Sequence, residues 1–193
     1  MKNDQWPEEC ERCRTQENIK GESIRTNSIA RHNLLHPKKE DYLIVGGVLD
    51  NICNSACQSC NSELSTKIGS LESKDYKRID NTHNFYSIPQ DRILELDVNG
   101  GEPTASPNYK KLIATLPDNV KIVRMNTNGS RMIDELQGLL DRGIMVIVTL
   151  SLDGVGAVHD YVRWPIRWDA YTKTIDRYIA LRERHDLLKL DFW

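Results

Sequence analysis

Three cysteines in eight residues, Cys53, Cys57 and Cys60, are the side chains of this sequence best suited to chemistry. The spacing C-x3-C-x2-C puts three thiolates on one short loop, enough to hold three irons of a four-iron cubane and leave the fourth without a protein ligand. Such an open iron can bind a small molecule. Zinc in a structural site takes four protein ligands, and the nearest histidine downstream is His83. Buried thiols grouped by chance are the competing reading, since free cysteine is at home in a core. Two more cysteines, Cys10 and Cys13, form a C-x2-C near the N-terminus. With His32 and His36 they could make a zinc set, although the eighteen residues between Cys13 and His32 exceed the usual finger spacing. Five cysteines, an odd number, also argue against a fully paired disulfide framework.

These residues need elements to position them. Apolar runs of strand length occur at Tyr42 to Leu49, Ile93 to Val98, Val120 to Met125 and Ile144 to Leu150, and a fifth begins at Leu187. Helical spacing separates them: Leu112, Ile113 and Leu116 after Pro107; Met132, Ile133, Leu136, Leu139 and Leu140 before Gly143; Tyr171, Ile175, Tyr178 and Ile179 after Pro165. Alternating strands and helices imply βα units on a parallel sheet. The continuously apolar Ile144 to Val148 predicts a strand covered on both faces. Residues 65–90 predict one helix and then a solvated loop, and residues 1–40 an irregular appendage with one short helix near Ser28 to Leu35.

Each strand is followed at once by unusual connecting residues. They are Asp50-Asn51 and the cysteine trio; Asn99-Gly100-Gly101-Glu102-Pro103; Asn126-Thr127-Asn128-Gly129; and Ser151-Leu152-Asp153-Gly154. The carboxyl ends of parallel strands share one edge, where α/β folds build their sites, so four stretches converge there. Singly, the last two read more readily as ordinary Asn-Gly and Asp-Gly turns. The paired glycines suit either a tight bend or a close backbone approach by a ligand, and Glu102 could accept hydrogen bonds from an ammonium group.

With the trio ahead of Gly-Gly-Glu-Pro in adjacent βα units, the sequence from Tyr42 onward resembles the radical S-adenosylmethionine (SAM) superfamily. The resemblance implies a partial (βα)6 barrel, here ending after about four units, so the radical SAM core of residues 41–193 is expected to be C-terminally incomplete. It implies that Cys53, Cys57 and Cys60 hold a 4Fe-4S cluster whose free iron chelates the methionyl amino and carboxylate groups of S-adenosylmethionine. Gly100, Gly101 and Glu102 would receive the methionyl ammonium, Thr127 and Asn128 would line the ribose, and Ser151 and Arg163 would contact the cofactor, Arg163 through its carboxylate. Relatives often carry an aromatic before the last cysteine where this chain has Ser59. The implied activity is reductive cleavage of the cofactor to a 5'-deoxyadenosyl radical that takes hydrogen from a substrate, a peptide being one class. A flavodoxin or ferredoxin would supply the electron. Cys10 and Cys13, with Glu17, Gly21, Ser23 and Arg25, resemble the end of a SPASM or twitch segment, implying a remnant auxiliary iron-sulfur site, with a structural zinc pair as the alternative.

Bulk properties narrow the partners. Lys plus Arg is 26 and Asp plus Glu 28, a net charge of -2 without long runs of one sign, which favours neither nucleic acid nor an acidic membrane surface. The longest apolar stretch is too short to span a bilayer and the N-terminus has no basic-then-apolar leader, so a cytoplasmic protein is expected. The competing function is a non-catalytic iron-sulfur electron carrier or sensor, against which Glu102 and Arg163 stand as groups such a carrier does not need.

Overall fold

The computed structural model describes Trp6 and residues 10–35, 42–73 and 75–193, which divide into two compact units, Met1–Asp41 and Tyr42–Trp193. In the first unit, α1 (Glu11–Lys20) and α2 (Ile24–Leu35) are joined by a short turn. Helix α1 stops at Gly21, which is left-handed at φ 74° and returns its N–H to Glu17 O. The Glu17 carboxylate accepts hydrogen bonds from Ser23 Oγ at 2.6 Å and Arg25 Nε at 2.9 Å, which hold it below the usual carboxylate range. Glu17, Gly21, Ser23 and Arg25 thus close a helix–turn–helix. The sequence reading expects only one helix here. Helix α1 buries none of its residues, so it has no apolar stripe for periodicity to register.

The second unit is built on one five-stranded sheet in the order β1 (Leu43–Val48), β2 (Ile93–Asn99), β3 (Ile122–Thr127), β4 (Met145–Leu150) and β5 (Leu188–Phe192). Every adjacent pair is parallel, so all five carboxyl ends lie along one edge. The connections carry α3 (Thr66–Glu72), α4 (Thr82–Tyr86), α5 (Pro107–Ala114), α6 (Glu135–Asp141), α7 (Ala157–Val162) and α8 (Trp168–Arg182). This is the parallel α/β sheet that the alternation predicts, and it matches the partial barrel that the resemblance implies. Residues 65–90 differ from expectation: a second short helix, α4, sits on the core through Phe85, and a 3-10 turn spans Gln90–Arg92.

Strand β4 also departs from its reading. Val146, Val148 and Leu150 are fully buried and join Leu112, Leu136, Leu139 and Tyr178 in one core, whereas Met145, Ile147 and Thr149 are only partly covered. Along β4, one face is therefore fully covered and the other only in part, while on that second face Ile122 and Glu95 of the neighbouring strands are buried. The less covered face carries polar groups: Arg124 pairs in register with Ile147 and Ile147 with Lys189, and in the next row Asn126 pairs with Thr149 and Thr149 with Asp191. Apolar runs alone do not distinguish a strand covered twice from one whose second face borders a half-open groove.

Uneven cover makes a direct comparison possible. Leu150→Ala should lower stability by about 2–5 kcal/mol through loss of buried area and an unfilled cavity. Thr149→Ala, one residue away on the less covered face, should stay within about 0.5 kcal/mol. Urea titration of the two variants measures the contrast.

Candidate functional site

The loops after β1 and β2 are pressed together along the carboxyl edge. Leu49 N donates to Asn99 O at 2.6 Å, Gly101 N to Asp50 O at 2.9 Å and Glu102 N to Ile52 O at 2.8 Å, so strand pairing continues into the loops. A Cβ on Gly100 would stand 2.7 Å from Asp50 O, and one on Gly101 would stand 2.6 Å from Ile52 O and 2.7 Å from Asn51 C. The paired glycines are thus required by close approach of the chain's own backbone. Residues that sequence reasoning marked as unusual but left without a role complete the joint. Asp50 accepts from Ser106 Oγ at 2.6 Å, Asn108 Nδ2 at 3.1 Å and Ile52 N at 3.0 Å. Asn51 donates to Glu63 O and Lys77 O at 3.1 and 2.9 Å and accepts from Ile79 N at 2.9 Å.

The cysteine loop springs from this joint and is held on three further sides. Ser65 caps α3 and donates to Ser55 O at 2.7 Å, and the Thr66 hydroxyl accepts from Cys53 N at 3.0 Å. Ala56 N donates to Trp164 O at 2.7 Å and Gln58 N to Val162 O at 2.9 Å. From the end of β3, Asn128 Nδ2 reaches Asn54 Oδ1 at 2.9 Å and Ser55 Oγ at 3.0 Å. Cys53 Sγ lies 3.3 Å and Cys57 Sγ 3.5 Å from that Ser55 hydroxyl, while Cys60 Sγ contacts Asn61 O at 3.7 Å. Burial pushes the Cys53 and Cys60 thiols up from their ordinary value.

Glu102 faces inward. It is 1% exposed and accepts four hydrogen bonds, from Thr104 N at 3.0 Å, Thr104 Oγ1 at 2.6 Å, Thr127 Oγ1 at 2.7 Å and Asn128 N at 2.6 Å. Burial pushes its carboxyl up and the four donors pull it back, with burial the larger effect. Its oxygens therefore tie the β2 loop to the end of β3, Oε1 through three of the four bonds and Oε2 through one. Thr127 and Asn128 are likewise buried and committed to this network. Ser151 is partly buried and anchored by its N–H to Thr127 O at 2.9 Å.

Arg163, beyond α7, comes to the trio: its Nη1 is 3.8 Å from Cys57 Sγ, and its Nε pairs with Asp153. Helix α7 also buries His159, absent from the sequence reading, against Tyr171 and Trp168 with ring centroids 4.4 and 5.4 Å away. Burial, then the nearby Arg163 charge, push its imidazole down. No apolar periodicity marks a six-residue helix, so α7 carried no sequence signal.

The donor set fits a cluster better than a single ion. Among the described residues, no three His, Cys, Asp or Glu side chains converge closely enough to hold one metal ion. Three thiolates spread over one loop match separate corners of a cubane. The N-terminal zinc set has no support of this kind: Cys10 and Cys13 are free and partly buried, and His36 and the side chain of His32 lie outside the described residues. No described helix is long and apolar enough to cross a membrane.

Comparison with known proteins adds an independent line. A family model described as the Radical SAM superfamily matches residues 48–185. Mycofactocin maturase MftC of Mycobacterium tuberculosis (strain CDC 1551 / Oshkosh) is 28% identical over 130 residues, covering 66% of this chain and 32% of that protein. MftC of Mycobacterium ulcerans (strain Agy99) is 30% identical over 113 residues, covering 58% of this chain and 29% of that protein. The chain thus spans about a third of the length of the curated relatives it matches. The fold is similar to Streptococcus suis SuiB, crystallised with the precursor peptide SuiA, at a TM-score of 0.50 and 15% identity over 79% of this chain and 34% of that one.

Three outcomes follow. Glu102→Gln turns an amide donor toward the Asn128 N–H and should lower stability by about 1–3 kcal/mol in urea titration. The raised Cys53 and Cys60 thiols make the folded metal-free protein hold protons that an unfolded chain releases. Its stability should therefore fall as pH rises from the ordinary thiol range toward the raised values. Iron ligation needs those same protons gone, so iron and sulfide uptake, read as bound iron, should increase from about pH 7 to about pH 8.5.

Proposed function

This chain belongs to the radical SAM superfamily, and from that premise we propose that it binds a 4Fe-4S cluster and S-adenosylmethionine and generates a radical that acts on a peptide substrate. The observation carrying this reading is the cysteine trio on a hydrogen-bonded loop at the sheet's carboxyl edge, locked to Gly100 and Gly101 and faced by Arg163. Cys53, Cys57 and Cys60 would hold three irons. When bound, the cluster supplies the electron that breaks a carbon–sulfur bond of S-adenosylmethionine, leaving methionine and a 5'-deoxyadenosyl radical.

The chain's own residues bind and orient. Because Glu102 is buried and its Oε1 accepts three hydrogen bonds, we assign the methionyl ammonium first to main-chain oxygens of the Gly100–Gly101 turn, with Glu102 holding that turn in place and Oε2, which accepts one bond, as its remaining acceptor. Asn128 spends its amide on the cysteine loop, so contact with the ribose falls to Thr127–Asn128 main-chain atoms and to Ser151. Arg163 stands beside Cys57, and pairing with the cofactor carboxylate would have it share or leave Asp153. Exclusion of water is the remaining task, and the buried Thr104, Thr127 and His159 contribute to it.

A peptide substrate is supported by the maturase name of the relatives and by the precursor peptide in the SuiB crystal, each said of those proteins. On the less covered face of the sheet, Asn126, Thr149 and Asp191 offer hydrogen-bonding groups to such a chain. A flavodoxin or ferredoxin is the proposed electron source. Residues 1–40 are proposed as a separate appendage in which Cys10 and Cys13 supply at most two ligands to an auxiliary cluster or zinc.

Anaerobic reconstitution with iron and sulfide, followed by Mössbauer spectroscopy, should give a four-iron centre that Cys53→Ala, Cys57→Ala and Cys60→Ala each abolish. Calorimetric titration of the reconstituted protein with S-adenosylmethionine should give binding heat. A four-iron centre without that heat would favour an electron carrier or sensor instead.

A further inference from the structure

Ser55 sits between the first two cysteines of the trio, is 1% exposed, and has its hydroxyl against two sulfurs, Cys53 Sγ at 3.3 Å and Cys57 Sγ at 3.5 Å. The direction of its proton can be worked out from its neighbours. Asn128 Oδ1 accepts from Ser130 N at 3.0 Å, which fixes the orientation of that amide and turns Nδ2 toward the cysteine loop. Nδ2 then donates both protons, one to Asn54 Oδ1 at 2.9 Å and one to Ser55 Oγ at 3.0 Å. Asn54 is fixed in turn by donating to Ser130 Oγ at 3.0 Å. Ser55 Oγ is thus an acceptor toward Asn128, and its own proton is left facing the sulfurs.

In the metal-free chain the Cys57 thiol donates to Ser55 Oγ at 3.5 Å, and the Cys53 contact can run either way. Ligation removes that freedom, because a thiolate on iron has no proton and only accepts. We propose that Ser55, aimed by Asn128, donates a hydrogen bond to the Cys53 thiolate and so raises the reduction potential of the bound cluster. The proposal rests on the cluster assigned above. Its physical basis is that a donor on a ligand sulfur stabilises the reduced, more negative state. Cys57 already faces Arg163 Nη1 at 3.8 Å, Cys60 faces a carbonyl oxygen, and Ser65, the other hydroxyl beside Cys53, donates to Ser55 O at 2.7 Å, so the Ser55 proton falls to Cys53. Asn128 is a positioning residue in this scheme, held by its N–H to Glu102 Oε2 at 2.6 Å.

The test uses the full chain, reconstituted anaerobically without S-adenosylmethionine. Electron paramagnetic resonance-monitored redox titration of Ser55→Ala should show the reduced-to-oxidised ratio at fixed potential falling about tenfold, a midpoint lower by about 59 mV for one electron. Proton electron-nuclear double resonance of the wild type should show a coupling lost on exchange into deuterium oxide. That coupling should be absent in Ser55→Ala, retained in Ser55→Thr, and weakened in Asn128→Ala. A Ser55→Ala cluster with unchanged midpoint overturns the proposal. So does a wild-type cluster with no exchangeable coupling, a readout that stands even where the variants fail to fold. A wild type that takes up no four-iron centre overturns the functional reading itself, and is distinguished by its Mössbauer spectrum.

Discussion

The Gly100–Gly101 turn lies so close to Asp50, Asn51 and Ile52 that neither glycine has room for a Cβ, and the site is assembled on that contact. A side chain at either position would meet backbone atoms, which cannot rotate away as a side-chain end can. The turn after β2 would have to part from the loop after β1, and Gly101 N and Glu102 N would lose their acceptors at Asp50 and Ile52. Those two bonds set the direction in which the chain enters the cysteine loop. Two adjacent βα units are thereby fixed to each other at the point where both present unusual residues.

Around this contact the polar groups are buried and matched. Asp50, Asn51, Ser55, Glu102, Thr127 and Asn128 are each at most 5% exposed, and each makes side-chain hydrogen bonds to another loop. An unmatched polar atom at such depth is costly, whereas a complete network makes alternative arrangements expensive and so fixes one geometry. Apolar packing beneath the sheet sets where the strands lie, and the polar network above their ends sets how the loops stand. This division of labour explains how irregular loops, usually the least ordered parts of a domain, can keep three thiolates in place.

Much of this was legible in the sequence. The five strands, their parallel order and the meeting of four loops at one edge follow from apolar runs and the residues after them. Helices α1 and α7 were not legible, because a helix without a buried stripe or only six residues long leaves no period to detect. The less covered face of β4 was hidden because Met145 and Ile147 are as apolar as the buried Val146 and Val148, and residue type does not record which neighbour is missing. Glu102 was legible as important but not in its role. A carboxylate beside a glycine turn reads as a ligand for a cation, and only Thr104, Thr127 and Asn128, two of them from the next βα unit, reveal that it also ties two loops together. Asp50 and Asn51 were noticed for the same reason and remained without a role, since their partners Ser106, Lys77 and Ile79 are tens of residues away.

The bonds that shape the cysteine loop come from Ser65, Thr66, Val162, Trp164 and Asn128, and none of them passes through a sulfur. The loop can therefore hold its shape while its thiols keep their protons, which burial favours at Cys53 and Cys60. Loading iron into such a loop exchanges protons for metal with little reordering of the chain, unlike a zinc finger, whose folding and metal binding are one event. The conformational entropy of ordering is already met by the protein fold, so more of the free energy of ligation goes into affinity. A loop built this way keeps its geometry when the ligand at the open corner changes. For the proposed site, which would exchange cofactor and products at that corner, constancy of the three cysteine positions is the property the hydrogen bonds would provide.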